Sequence, residues 1–162
     1  MANVGLFSIF SKKSGGNIYK KQVFNALSDH FNVDYIDLES NRFKNRYLRA
    51  LDSLTKLLLF KGSKDLWIRD FYSTLTLNKK NTKGKDLTLL FHADFSGFRP
   101  IAKILLQLLE KVFYRKLNKT DAIVVISEYW NNYFLKKGFK NIYKIYCGFN
   151  LKDFNITQEQ VL

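Results

Sequence analysis

The sequence predicts an α/β fold, a single Rossmann-like domain with a mainly parallel sheet flanked by helices. Three observations lead there. Apolar runs of strand length recur along the chain, and most are separated by stretches with helical periodicity. Such alternation implies right-handed crossovers and a parallel sheet covered on both faces. The 162 residues are 46% hydrophobic and 16% aromatic, enough for one sizeable core and the opposite of a disordered composition.

Val4–Phe10 is an apolar run suited to a buried, central strand. From Asn17 the spacing becomes helical, with Ile18, Val23, Phe24, Leu27 and Phe31 on one broad face. Val33–Leu38 returns to strand character. Phe43, Tyr47, Leu51, Leu54 and Leu58 step by three or four, which predicts a helix from about Arg42 to Phe60. Leu66–Arg69 is a short strand, and Asn78–Asp86 has no apolar residue and reads as an exposed loop. Leu87–Phe91 is a further buried strand. Pro100 suits the first turn of the next helix, where its missing N–H costs little, and that helix runs to Leu117. Ala122–Ile126 is a strand, Glu128–Lys137 a helix stopped by Gly138, and Ile142–Tyr146 the last strand. The polar residues 151–162 fall outside the domain, which spans residues 1–150.

The single cysteine, Cys147, excludes an intramolecular disulfide framework and suits a reducing compartment, where it reads as an inert thiol. Charges interrupt every apolar run before the roughly 20 residues a membrane-spanning helix needs. The N-terminal stretch lacks the basic lead of a signal peptide, so a cytoplasmic location is expected. The net charge of +13 favours anionic partners: nucleic acid, acidic lipid or phosphate-bearing substrates.

In a parallel α/β sheet, ligands bind at the carboxyl ends of the strands near a switch point. Gly15-Gly16, Asp70, His92-Ala93-Asp94 and Ser127 all follow strand ends and are expected along one rim. A glycine pair there lets the backbone approach a ligand, while the helix N-terminus favours an anion. It also serves as a plain turn. The G-x-G-x-x-G fingerprint of dinucleotide sites is absent, although Asp37 and Glu39 stand near the position of a ribose-binding acid. His30, at a helix end, reads as structural.

Three segments in order, SGGNIYKKQVFNAL, LTLLFHAD and TDAIVVISEYWNNYFLKKGFKNIYKIYCGFN, resemble the N-terminal, acceptor-side domain of glycosyltransferases with two Rossmann domains (the GT-B architecture), particularly the retaining family 4. The similarity covers almost the whole chain. The family's Asn-Gly-Val-Asp ending is here Cys147-Gly148-Phe149-Asn150. The resemblance implies that Gly15 and Gly16 border the acceptor and the donor's phosphate or sugar. It puts His92 beside the reacting sugar as the catalytic candidate, and Ser127 at the inner end of the fifth strand. Asn17, Asp70 and Asp94 complete the substrate-binding candidates on that rim. A neutral histidine can accept or donate a hydrogen bond to a sugar hydroxyl. The resemblance further implies a nucleotide-sugar as substrate, with no separate cofactor and no metal site. A second, donor-binding Rossmann domain or a catalytic partner chain is expected, with residues 151–162 as the linker toward it.

The stretch RFKNRYLRALDSLTKLLLFKGSK carries Arg42, Lys44, Arg46 and Arg49 among its cations, interleaved with apolar residues at helical spacing. A basic amphipathic helix of this kind can lie on anionic lipid, or it can pack on the sheet with its charges solvated. Alternatives to the acceptor-side domain are therefore a non-catalytic subunit recruiting a partner to a membrane, and a nucleic-acid binder. The last rests on charge alone, since no recognised nucleic-acid motif is present.

Overall fold

The computed structural model describes residues 1–8, 15–40, 42–76, 78–91 and 100–146. Six strands, β1 (Asn3–Ser8), β2 (Asn32–Asp37), β3 (Gly62–Arg69), β4 (Thr82–Leu90), β5 (Ala122–Val125) and β6 (Ile142–Lys144), form one sheet in the order β2-β1-β3-β4-β5-β6. All five neighbouring pairs are parallel. Five helices connect them: α1 (Gly15–Ser28), α2 (Arg46–Leu59), α3 (Phe71–Thr76), α4 (Pro100–Leu117) and α5 (Glu128–Lys136). The chain is thus an α/β domain with a Rossmann-like parallel sheet, as its alternating pattern predicts. β1 is interior, one strand in from the edge.

Alternation along the strands sorts the core onto two faces. Val4, Leu6, Ile68, Leu89 and Val124 point to one face and meet Tyr19, Val23 and Leu27 of α1. On the other face Phe7 and Trp67 meet Leu57 of α2, while Leu90, Ile123 and Val125 meet Phe113 and Leu117 of α4 and Phe134 of α5. Among the described helices α1 is therefore alone on its face. Right-handed crossovers produce this division when the chain first steps from β1 to β2 and then reverses to β3 and beyond. The reversal puts the switch point between β1 and β3.

Gly5 makes room for the Trp67 ring: a Cβ at that position would lie 2.3 Å from Cζ3. Trp67 stacks on Phe7, with ring centroids 5.2 Å apart, and its indole N–H donates to Lys83 O at 2.9 Å.

Three expectations need correction. Asn78–Asp86 is not all loop, because β4 begins at Thr82 and runs through Lys83, Gly84, Lys85 and Asp86. The register shifts between Ser63 and Leu66, and Gly84 faces that irregularity with φ +124°. The six-residue α3, with no apolar periodicity to announce it, also lies where no helix was expected. Finally, α2 begins at Arg46 rather than Arg42. Ser53 and Leu57 are buried and Leu54 packs against the Phe7–Trp67 cluster, whereas Tyr47, Leu51 and Leu58 of the apolar stripe are exposed. The buried Ser53 hydroxyl accepts the Ser40 N–H at 3.0 Å and so ties α2 to the strand-like segment before it.

Candidate functional site

The parallel register brings the strand ends level. Ser8 pairs with Asp37, Leu6 with Ile68, Arg69 with Thr88 and Leu90 with Val125. The residues that follow, Asp70 after β3, Phe91 after β4 and Ser127 after β5, therefore lie along one edge, together with the start of α1. Gly15, Gly16 and Asn17 form the first turn of α1, so the glycine pair opens the helix rather than preceding it. That turn contains no acidic residue of its own, and a helix N-terminus carries the positive end of the helix dipole.

Asp70 is firmly held. Its Oδ1 accepts the Ser73 N–H at 2.8 Å and the Ser73 hydroxyl at 2.7 Å, capping α3, and its own N–H donates to Ser73 Oγ at 2.8 Å. Its Oδ2 lies 2.8 Å from Lys20 Nζ, and both side chains are more than nine-tenths buried. This pair ties the second turn of α1 to the end of β3, across the switch point. Asp70 therefore acts on the rim as a strut that fixes where the α1 N-terminus sits. Lys20 is the site residue that the sequence reading missed: a lysine on an amphipathic helix carries no local sign that it will be buried against an acid 50 residues away.

Ser127 caps α5, its Oγ accepting the Trp130 N–H at 3.4 Å, and it is half-buried at the rim. Glu128 in the same first turn pairs with Lys144 at the end of β6; the hydrogen bond from that ammonium holds the Glu128 carboxyl below the usual range. Phe91, at the exit of β4, packs edge-on against Tyr19 of α1, centroids 5.2 Å apart. Asp37 Oδ1 accepts the Glu39 N–H at 2.9 Å and so stabilises its own turn. His92, Asp94 and Cys147 lie outside the described residues. The structure thus brings Gly15, Gly16, Asn17, Asp70 and Ser127 to one rim. Among the described residues no group of three His, Cys, Asp or Glu is placed to hold a metal ion.

Arg42 and Lys44 lie exposed in the segment before α2, Arg46 opens the helix, and Arg49 is exposed one turn in. Asn45 caps it, its Oδ1 accepting from Tyr47 N–H at 2.8 Å and Leu48 N–H at 3.4 Å. No helix among the described residues is long and apolar enough to cross a membrane.

A cleft of about 460 Å³ lies elsewhere, beside the amino ends of β4 and β5, lined by Arg69, Lys79, Asp86 and Lys116 among others. Three of its cations have partners. Arg69 Nη2 lies 2.6 Å from Asp86 Oδ1 and donates to Thr82 Oγ1 at 2.6 Å. Lys79 Nζ donates to Lys119 O at 2.9 Å, and Lys116 Nζ donates to Leu75 O at 2.6 Å. Burial pushes the Asp86 carboxyl up and the Arg69 guanidinium down, each against the pull of its partner. Arg69, Asp86 and Thr82 form a buried polar cluster, with Lys79 exposed beside it.

Comparison of the sequence with protein-family models and with curated proteins finds no match.

Proposed function

We propose that this chain is the acceptor-side domain of a retaining, nucleotide-sugar-dependent glycosyltransferase that works in the cytoplasm with a donor-binding Rossmann domain. The transferred sugar is a hexose and the acceptor a membrane-associated molecule or a polysaccharide. In the reaction the acceptor hydroxyl oxygen bonds to the anomeric carbon as the bond to the nucleoside diphosphate breaks, and the hydroxyl proton leaves with the departing diphosphate. The supporting observation is the glycine-opened, acid-free N-terminus of α1, positioned at the β1/β3 switch point on the same rim as Ser127. Helix N-termini at such points are suited to phosphate-bearing ligands. The Lys20–Asp70 pair keeps that terminus in place. Preorganised N–H groups can then meet a phosphate or sugar without reordering the backbone.

The test joins the chain to a donor-binding domain and measures sugar transfer. Transfer is expected for the joined protein and negligible for the 162-residue chain alone. Gly16→Val adds bulk at the first turn of α1, and His92→Ala removes the imidazole that the resemblance puts beside the reacting sugar. Each is expected to reduce transfer by about tenfold or more, beyond any fall in melting temperature. Intact transfer in both variants, or losses that only track lost folding, would reject the proposal.

A further inference from the structure

The apolar residues that α2 does not bury form a surface of their own. Tyr47 is 70% exposed, Leu51 61% and Leu58 55%, and Leu48 and Leu59 are 46% and 73% exposed. At about 100° per residue, Tyr47, Leu51 and Leu58 fall within roughly 40° of one another around the helix, and the five together span roughly 120°. A helix of an ordinary globular domain turns such an arc inward. Here the inward side is instead Ser53 and Leu57.

The surroundings of this stripe are cationic. Residues 42–61 hold Arg42, Lys44, Arg46, Arg49, Lys56 and Lys61 against one acid, Asp52. That acid is paired within the helix to Lys56, at 3.0 Å. Arg42, Lys44, Arg49 and Lys61 are exposed. The stripe runs along one helix side, bulky and apolar, with positive charge beside it and at both ends, and its Leu58 also borders the cleft near β4 and β5. That shape and charge suit a helix lying in the plane of a bilayer, its apolar side in the headgroup–acyl boundary and its cations among anionic headgroups.

We infer that α2 is a membrane-docking helix that seats this protein on an anionic lipid surface through Tyr47, Leu51 and Leu58, with Lys44 and Arg49 contacting headgroups. Such docking needs no transmembrane segment. It is independent of sugar transfer, because it rests on α2 and the basic residues before it.

The experiment is co-sedimentation of the full chain with phosphatidylcholine vesicles and with mixed phosphatidylcholine–phosphatidylglycerol vesicles, at low and high salt. Binding is expected to the mixed vesicles only, and to weaken as salt screens the headgroup charge. Leu51→Asp with Leu58→Asp is expected to reduce partitioning by about tenfold or more, with an unchanged melting temperature because both side chains are exposed. Lys44→Ala and Arg49→Ala are each expected to weaken it by roughly fivefold at low salt. Vesicle binding that is absent, or that the paired aspartates leave unchanged, overturns the inference. So does a chain that ignores vesicles and self-associates in a manner the aspartates abolish, since the ridge would then be a protein–protein interface.

Discussion

Asp70 shows how one side chain can serve local and long-range structure together. One oxygen caps α3 through Ser73, and the other holds Lys20 of α1 at 2.8 Å. Both charges are buried, so each depends on the other to offset lost hydration. Removing one partner leaves an uncompensated buried charge. Lys20→Met is therefore expected to lower unfolding stability by about 3–5 kcal/mol in urea titration, and adding Asp70→Asn to that variant should recover part of the loss. If the single change proves as mild as a surface substitution, the Lys20 ammonium is not held in the way described. The prediction also separates two roles of the rim. Asp70 positions the α1 N-terminus through Lys20, whereas Gly15 and Gly16 are the residues proposed to meet a ligand there. Only the first role could be measured by folding stability alone.

Among the elements, β4 carries the sharpest test. Its first half, TKGKD, is charged and holds Gly84 in a left-handed conformation opposite the register shift in β3. A Cβ at Gly84 would lie 1.9 Å from Lys64 O. Gly84→Ala should therefore destabilise by about 1–3 kcal/mol, read as a lower denaturant midpoint at unchanged slope. An unchanged midpoint would mean that the irregularity relaxes freely. The same features explain why the sequence concealed this half-strand. Three charges and a glycine in five residues carry the composition of a loop, and only the partner strand reveals them as paired. Where apolar residues dominated, as in Leu87–Leu90 and Ala122–Val125, strand identity was plain in the sequence. The apolar spacing of α2 was legible too, but not which side faces inward. Periodicity reports a stripe, whereas the direction of the sheet is tertiary information. For the candidate site, position on the rim followed from strand ends, while the Lys20 partner needed the fold.

For the whole molecule, the two faces of the sheet share every strand from β1 to β5, so the hydrophobic clusters are halves of one core. Unfolding is expected as a single calorimetric transition, with equal van't Hoff and calorimetric enthalpies and a heat-capacity change of about 2 kcal/mol/K for a chain of this size. Two resolved transitions would show that the β2-β1 edge and the β4-β5-β6 half are separate cooperative units. The +13 charge bears on partners and solubility, while the fold is set by patterning and packing.

The strand order β2-β1-β3 also has a consequence in time. During synthesis β1 emerges early and can pair with β2, but its other edge must wait for β3 to be made. Between Ser8 and Arg69 lie 60 residues of chain, a delay of roughly 3–12 s at about 5–20 residues per second. Throughout that interval Leu6 and Phe7 sit on an open strand edge, available to any other extended segment. The Trp67 ring that finally covers Gly5 arrives with the strand that closes this edge. The nascent chain is thus most vulnerable to mispairing before β3 is complete, and slower translation through α2 would lengthen that exposure.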